Sequence, residues 1–417
     1  MSDLIPIEKI RILRILNRNN LGGPVLNAIF LKKFMGPAFE TKLICGNIST
    51  EETNANHLFE QYGVDYDVIP GMERSINPLA DYKVYANVKK IIAEYQPHII
   101  HTHAAKAGAI GRMAAAACKT PVVLHTFHGH VFHSYFSPFI SKCFVQLERY
   151  LAKKSSRIIA ISESQRKELG EVYRVCPPEK IVTIPNGIDL EKFRSASAHF
   201  RTEWRRKYNI REDEVAVGIV GRLTGVKNHG MFVKVVKSML NSYDRLKPRF
   251  FIIGDGEIRN EIIGHIQEEG LSCNYFPDDP LCDGKDITLT SWEKETDKVY
   301  AGLDIAVLTS HNEGTPITLM EACAAGLPVV STNVGGVKDV LLDKKSGWLT
   351  APDDVEAFTS SLAGLVANPV LRQSMGKAGQ EYVLAKYSYH RLVKDMEHLY
   401  TTLITEYENK SKDRSLH

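Results

Sequence analysis

"DIAVLTSHNEGTPITLMEACAAGLPVVST", residues 304–332, sets two short apolar runs on either side of a helix-forming stretch. "DIAVLT" (304–309) and "LPVVST" (327–332) are β-branched and too short for helices, so they read as strands. Between Pro316 and Gly326 the residues are apolar or small, as in a buried helix. Thr315 suits an N-cap, Pro316 the first helical position, and Gly326 a left-handed stop ahead of Pro328. One residue is out of place. Glu321 is the sole charge in that helix, eight positions after Glu313. Buried and unpaired, it would cost roughly several kcal/mol, so it needs donors. A structural Arg or Lys can supply them, and so can a ligand diol such as a ribose.

The same alternation extends outward. "RILRIL" (11–16), "HIIHTH" (98–103), "PVVLHTF" (121–127), "RIIAIS" (157–162) and "KIVTIP" (180–185) form one series of strands. "VAVGIV" (215–220) and "RFFIIG" (249–254) begin a second, which the opening stretch completes. Helical patterns such as 104–118 and 162–173 lie between them. Strands alternating with helices imply parallel sheets covered on both faces. The polar segment 190–213 reads as the linker between two doubly wound α/β domains. Such sheets bind ligands at the carboxyl ends of their strands, so strand-to-helix turns carry the candidate sites.

A chain of 417 residues fits two domains, each large enough for its own core. No apolar run reaches the roughly 18 residues of a membrane span, and the first 20 residues lack the apolar core of a secretion signal. Seven cysteines with no CxxC pair argue against a disulfide framework or a structural zinc cluster, and point to reducing cytosol. Residues 1–200 carry a net charge of +7 and the remainder −4, which make up the +3 of the chain. Within 101–157, Lys106, Arg112, Lys119, Lys142, Arg149, Lys153, Lys154 and Arg157 face a single acid, Glu148. That is either a solvated face or a surface drawn to anions.

Two turns hold the chemistry of the second series. "GRLTGVKNHG" (221–230) places Arg222 and Lys227 before a helix that Asn228 can cap. Two cations beside free helix amides suit a diphosphate, although an ordinary basic loop reads the same way. "IIGDGE" (252–257) carries Gly254 and Gly256, which permit positive φ or a close ligand, or simply a turn.

Glu313 and Glu321, with Arg222 and Lys227 upstream, resemble the nucleotide-sugar site of retaining glycosyltransferases of family 4, which have the GT-B fold. The likeness covers nearly the whole chain. "LNRNNLGGP" (16–24), "HTHAAKAG" (101–108), "HTFHGHVF" (125–132), "AISESQ" (160–165) and "PNGIDLEKF" (185–193) follow in family order, and the second-half motifs do likewise. The resemblance implies two Rossmann-like domains facing across a cleft: residues 1–195 on the acceptor side and 196–385 for the donor. Residues 386–417 would form a helix packing back on the first domain, then a polar tail.

It also implies roles. Arg222 and Lys227 would hold the diphosphate, and Glu321 the ribose. Glu313, with Gly314, Thr315 and Pro316, would contact the donor sugar. Gly22, Gly23, Gly254 and Gly256 would let backbone approach the ligands. His128 would project towards the reacting sugar. The expected partners are a nucleoside-diphosphate sugar, UDP being the commonest, and a hydroxyl acceptor in surface polysaccharide or glycolipid assembly. No cofactor, metal or nucleic acid is expected. Three departures stand out: Lys338 and Asp339 where relatives often show Pro and Glu, Ser291 where a Gly is frequent, and an expansion at 277–286.

His101, His103, His125, His128, His130 and His133 crowd one region, either as polar lining of the cleft or as ligands for zinc. The alternatives to transfer are a sugar-nucleotide 2-epimerase of the same architecture, a histidine-metal hydrolase, and a non-catalytic nucleotide-sugar-binding subunit. Residues 132–157 interleave aromatics with bases, and Phe144, Leu147 and Leu151 fall at helical spacing. That segment is expected either to pack as core with solvated bases or to meet an anionic membrane at the inner face of the cell membrane, beside a lipid-linked acceptor.

Overall fold

A computed structural model describes residues 9–20, 22–46, 54–73, 77–128, 138–195, 198–243, 246–279 and 284–415. The chain forms two compact units, Met1–Ile188 with Tyr387–His417, and Asp189–Lys386. The first unit contains β1 (Ile10–Leu16), β2 (Phe39–Gly46), β3 (Asp67–Ile69), β4 (Ile99–His103), β5 (Val122–Phe127), β6 (Arg157–Ala160) and β7 (Ile181–Thr183). They form one parallel sheet in the order β3-β2-β1-β4-β5-β6-β7. The second contains β8 (Val215–Val220), β9 (Pro248–Ile253), β10 (Cys273–Tyr275), β11 (Ile287–Ser291), β12 (Ile305–Leu308), β13 (Val329–Thr332) and β14 (Gly347–Thr350). Its parallel order is β10-β11-β9-β8-β12-β13-β14.

Both sheets are buried on two faces, as the continuous apolar strands require. On one side of β1, Leu13 and Ile15 pack with Val84, Val88, Ile110 and Ala114 from helices Pro78–Tyr95 and Ala105–Ala117. On the other, Ile12 packs with Leu392, Met396, Tyr400 and Leu403 of the carboxy-terminal helix Tyr389–Ser415. In the second sheet, β8 buries Val217 and Ile219 against Phe232, Val236 and Phe358. The strand order reverses between β1 and β4 in one unit and between β8 and β12 in the other. The turns after those four strands therefore flank the crevices where such sheets take ligands.

All nine strands read from the sequence are present, and five more join them. β2 opens with Glu40, Thr41 and Lys42, which hide its buried half, and β3, β10 and β14 are short. β11 alternates Thr with Ile and Leu beside the polar segment 277–286, of which 280–283 lie outside the described residues. The expected linker at 190–213 instead folds into helices Glu191–Arg194 and Ala198–Lys207. Lys192, Arg194, Arg206, Lys207 and Arg211 face water, Arg205 is buried against Asp304, and Phe193, Trp204 and Tyr208 are buried as anchors. Leu190 and Phe193 thereby draw Asp189–Ser195 into the second unit, so the boundary expected after residue 195 moves back to Ile188.

The basic region is partly neutralised. Arg112 and Glu148 form a buried pair at 2.8 Å, Lys106 meets Asp81 at 2.5 Å, and Arg157 meets Glu406 at 3.4 Å. Arg149 donates to the Tyr173 and Arg174 carbonyls. Helix Pro138–Lys153 buries Val145, Glu148, Leu151 and Ala152, and exposes Lys142, Leu147, Tyr150 and Lys153. Leu147, which shares helical spacing with Phe144 and Leu151, is exposed while Leu151 is buried. Phe132, Tyr135 and Phe136 fall outside the described residues. Among the described residues no helix is long and apolar enough to cross a membrane.

Candidate active site

In the second unit, the turns after β8 and β12 are laced together at the order reversal. The Thr309 hydroxyl donates to the carbonyls of Lys227 and Asn228, each at 3.0 Å, and the His311 amide donates to the Val226 carbonyl at 2.9 Å. Asn228, at φ 50°, caps helix His229–Ser242 by accepting from the Met231 amide. This frame brings Lys227 Nζ to 2.7 Å from Glu313 Oε1, which also accepts from the Ser310 hydroxyl at 2.6 Å. Both charges are largely buried, at 18% and 11% side-chain exposure, so each neutralises a partner that water barely reaches.

The loop carrying Glu313, Gly314 and Thr315 rests on a second loop, where the Gly336 amide donates to the Glu313 carbonyl at 3.0 Å. A Cβ on Gly336 would lie 1.8 Å from the Gly314 carbonyl oxygen, so only glycine allows this backbone to lie so close. Helix Ile317–Ala324 starts one residue later than expected. Pro316 is its N-cap, its carbonyl accepting from Leu319 and Met320, while Thr315 is exposed and caps nothing. Gly326, at φ 79°, ends the helix as expected.

Arg222 is exposed and meets Glu257 of the "GDGE" turn at 3.3 Å. Gly254 takes the positive φ that its place allowed, at 136°, and both glycines lie against a neighbouring backbone. A Cβ on Gly256 would sit 2.3 Å from the Leu223 carbonyl oxygen, and one on Gly254 2.0 Å from that of Gly221. Their bare faces therefore seat the loop that displays Arg222. Ser291, at φ 64°, occupies a left-handed position, one that the expected glycine would take without strain. Its hydroxyl donates to Asp255 at 2.9 Å.

Glu321 is half-buried, and among the described residues it forms no ion pair. It shares the hydroxyl of Tyr300, which also reaches the Thr318 carbonyl at 3.0 Å. Burial pushes its carboxyl up to about 7, opposed by the Lys192 charge and the Tyr300 hydrogen bond. A carboxylate with one phenol partner and, among the described residues, no ion pair retains capacity for further donors.

The first unit holds Gly22, Gly23 and His128. Gly22 is extended and precedes helix Gly23–Phe34, and the bare face of Gly23 looks onto Asn186 at 3.5 Å. Asn186 accepts from Asn27 at 3.2 Å and favours the charged form of His128, whose pKa burial nevertheless pushes down to about 3. His101, His103 and His125 are likewise held well below the usual range by burial. Their ring nitrogens are engaged. His101 contacts Arg14, Tyr400 and Thr126, and His103 contacts Arg14 and His128. His130 and His133 lie outside the described residues.

Two family models match in tandem: Glycosyltransferase Family 4 over residues 39–192 and Glycosyl transferases group 1 over 200–382. The chain is a family 4 glycosyltransferase of the GT-B fold. This glycosyltransferase is 29% identical over 338 residues to an Escherichia coli UDP-Gal:alpha-D-GlcNAc-diphosphoundecaprenol alpha-1,3-galactosyltransferase, covering 81% of the chain and 83% of the relative. It is 25% identical to the Staphylococcus aureus capsular polysaccharide biosynthesis glycosyltransferase CapM, covering 82% and 86%. Its fold matches that of HepE from Anabaena, solved with UDP, at a TM-score of 0.72 and 17% identity over 94% of this chain and all of the other.

Sequence reasoning on the glycosyltransferase missed several supporting groups. Ser310 and the Gly335–Gly336 pair sit beside quoted motifs, so their proximity was a usable signal. Lys192 lies inside "PNGIDLEKF", yet only the fold shows that it faces Glu321. Arg14 is a charge inside the apolar strand "RILRIL", a signal left unread, while Tyr300 and Tyr400 carry no local signal.

Proposed function

We propose that the protein transfers a sugar from a UDP-sugar to a hydroxyl acceptor on a lipid-linked intermediate, with the anomeric configuration retained and without a metal ion. The assignment belongs to bacterial surface polysaccharide assembly at the inner face of the cell membrane. The observation that carries it is the Lys227–Glu313 pair at the loop before helix Ile317–Ala324, with Glu321 farther along that helix still able to accept donors. Ribose hydroxyls satisfy Glu321, and the diphosphate meets Arg222 and Lys227. As UDP departs, charge grows on its oxygens, and cations already fixed in place stabilise that change without reorganising. Glu313 and the backbone of Gly314–Pro316 then contact the sugar, and His128 and the Gly22–Gly23 loop contact reacting groups. The Escherichia coli relative, named for UDP-Gal, a diphosphoundecaprenol acceptor and an α-linkage, supports these finer choices.

A panel of nucleotide sugars tested by thermal shift, followed by turnover in excess EDTA, checks the donor and the metal together. UDP-sugars are expected to raise Tm above GDP- and ADP-sugars, with turnover unchanged by chelation. Preference for another base, or activity lost to EDTA and restored by zinc, rejects the reading.

Membrane contact is assigned to the exposed side of helix Pro138–Lys153, where Leu147 and Tyr150 lie with Lys142 and Lys153. Each basic residue near an anionic surface contributes about 1 kcal/mol. Co-sedimentation with anionic liposomes should therefore fall sharply in a Lys142→Glu, Lys153→Glu, Lys154→Glu triple variant. Binding indifferent to lipid charge and to that change would return the helix to a solvated surface.

A further inference from the structure

Arg14 is fully buried in the middle of β1, and among the described residues its hydrogen-bond partners are two imidazoles and a phenol rather than a carboxylate. One guanidinium nitrogen, Nη1, lies 2.9 Å from His101 Nδ1 and 3.2 Å from His103 Nε2, while Nη2 donates to the Tyr400 hydroxyl at 2.9 Å. A guanidinium only donates, so both ring nitrogens that face it must be unprotonated acceptors. A neutral His103 that accepts at Nε2 carries its proton on Nδ1. That Nδ1 lies 2.8 Å from His128 Nε2, so His103 donates and His128 accepts. His128 in turn must carry its own proton on Nδ1. His128 Nδ1 is buried and makes no hydrogen bond of ordinary geometry.

We propose that Arg14, acting through His103, is a positioning residue that fixes the tautomer of His128, so that His128 presents Nδ1–H and serves as a hydrogen-bond donor, not as a base. The chain of contacts leaves His128 without a lone pair to take up a proton, because Nε2 is occupied and Nδ1 is already protonated. The rest of the cluster holds the origin of the chain in place. Tyr400 donates to His101 Nδ1 at 2.6 Å, and His101 Nε2–H donates to Thr126 at 2.7 Å. The rings of His103 and His128 stack with centroids 5.0 Å apart, which limits rotation of either. Asn186, which favours the charged form of His128, is the protein group beside it. An oxygen that accepts from Nδ1–H in good geometry, whether that carboxamide or a ligand's, relieves the cost of a buried donor. The catalytic consequence rests on the proposed contact of His128 with a reacting group, whereas the tautomer does not.

The test is nitrogen NMR of the full chain with 15N-labelled histidine, His128→Ala identifying the His128 signals. In the wild type, His128 is expected to be neutral at pH 7 with its proton on Nδ1. His103→Leu should mix its tautomers, and His103→Asn, whose carboxamide N–H replaces Nδ1–H, should restore one. Sugar transfer should follow, with kcat falling roughly tenfold or more in His103→Leu at nearly unchanged KM and recovering in His103→Asn. A wild-type proton on Nε2, or a tautomer unmoved by His103→Leu, overturns the relay even where His128→Ala abolishes transfer. Wild-type turnover in His128→Ala overturns the site assignment instead, while a fixed Nδ1–H tautomer still upholds the relay. Arg14→Leu extends the series where it folds, and the His103 pair decides the matter where it does not.

Discussion

Lys227→Ala is expected to lower turnover about a hundredfold or more, since it removes a prealigned cation from the departing diphosphate. The same change leaves the largely buried Glu313 carboxylate, among the described residues, with the Ser310 hydroxyl at 2.6 Å. A stability loss of roughly 1–3 kcal/mol should accompany it. The two effects separate in the Lys227→Met, Glu313→Gln double variant, which removes both charges. Its Tm should recover towards the wild type while turnover stays low. Arg222→Ala should cost turnover with little change in Tm, because Arg222 is exposed and, among the described residues, pairs with the exposed Glu257. Kinetics and thermal melts on these three variants check both statements. Wild-type kcat/KM in either single variant would remove the diphosphate assignment.

The second large effect is a pH dependence of UDP binding set by Glu321. Its carboxyl is raised to about 7 by burial, and only the ionised form accepts from two ribose hydroxyls. Affinity should therefore be nearly constant above pH 7 and fall by up to roughly tenfold for each pH unit below it. Binding near pH 6 should release a proton, visible by calorimetry in buffers of different ionisation enthalpy. The sign is opposite for folding without ligand. A carboxyl raised in the folded state favours the protonated form, so its ionisation weakens the free protein as pH climbs from 4.5 towards 7. Glu321→Gln should bind UDP weakly at all pH values yet bind pyrophosphate like the wild type. UDP affinity equal at pH 6 and pH 8, with no proton released, would instead make Glu321 a partner of Tyr300 alone.

The architecture was legible because continuous β-branched runs such as 215–220 and 304–309 have few readings besides buried parallel strands. Edge strands escaped because an edge needs fewer apolar residues, as "CNY" in β10 shows. Lys227, Glu313 and Glu321 could be singled out because charge beside glycine or within an apolar helix is costly without a purpose. Their partners could not. Tyr300 approaches Glu321 from 21 positions away in sequence, and Tyr400 reaches Arg14 across 386. Such contacts are set by packing between layers, not by local pattern. The misread segment 190–213 shows the converse: its composition is that of a linker, and three buried aromatic rings decide otherwise.

The central claim is transfer with retention, and the configuration of the product tests it most directly. The protein, treated with EDTA, is mixed with the α-configured UDP-sugar that the thermal-shift panel selects and a lipid-linked sugar acceptor, and the anomeric proton of the product is followed by NMR. The account predicts a glycoside with the donor's α configuration appearing in step with free UDP. A β-linked product, or a nucleotide sugar epimerised with no acceptor consumed, would contradict it.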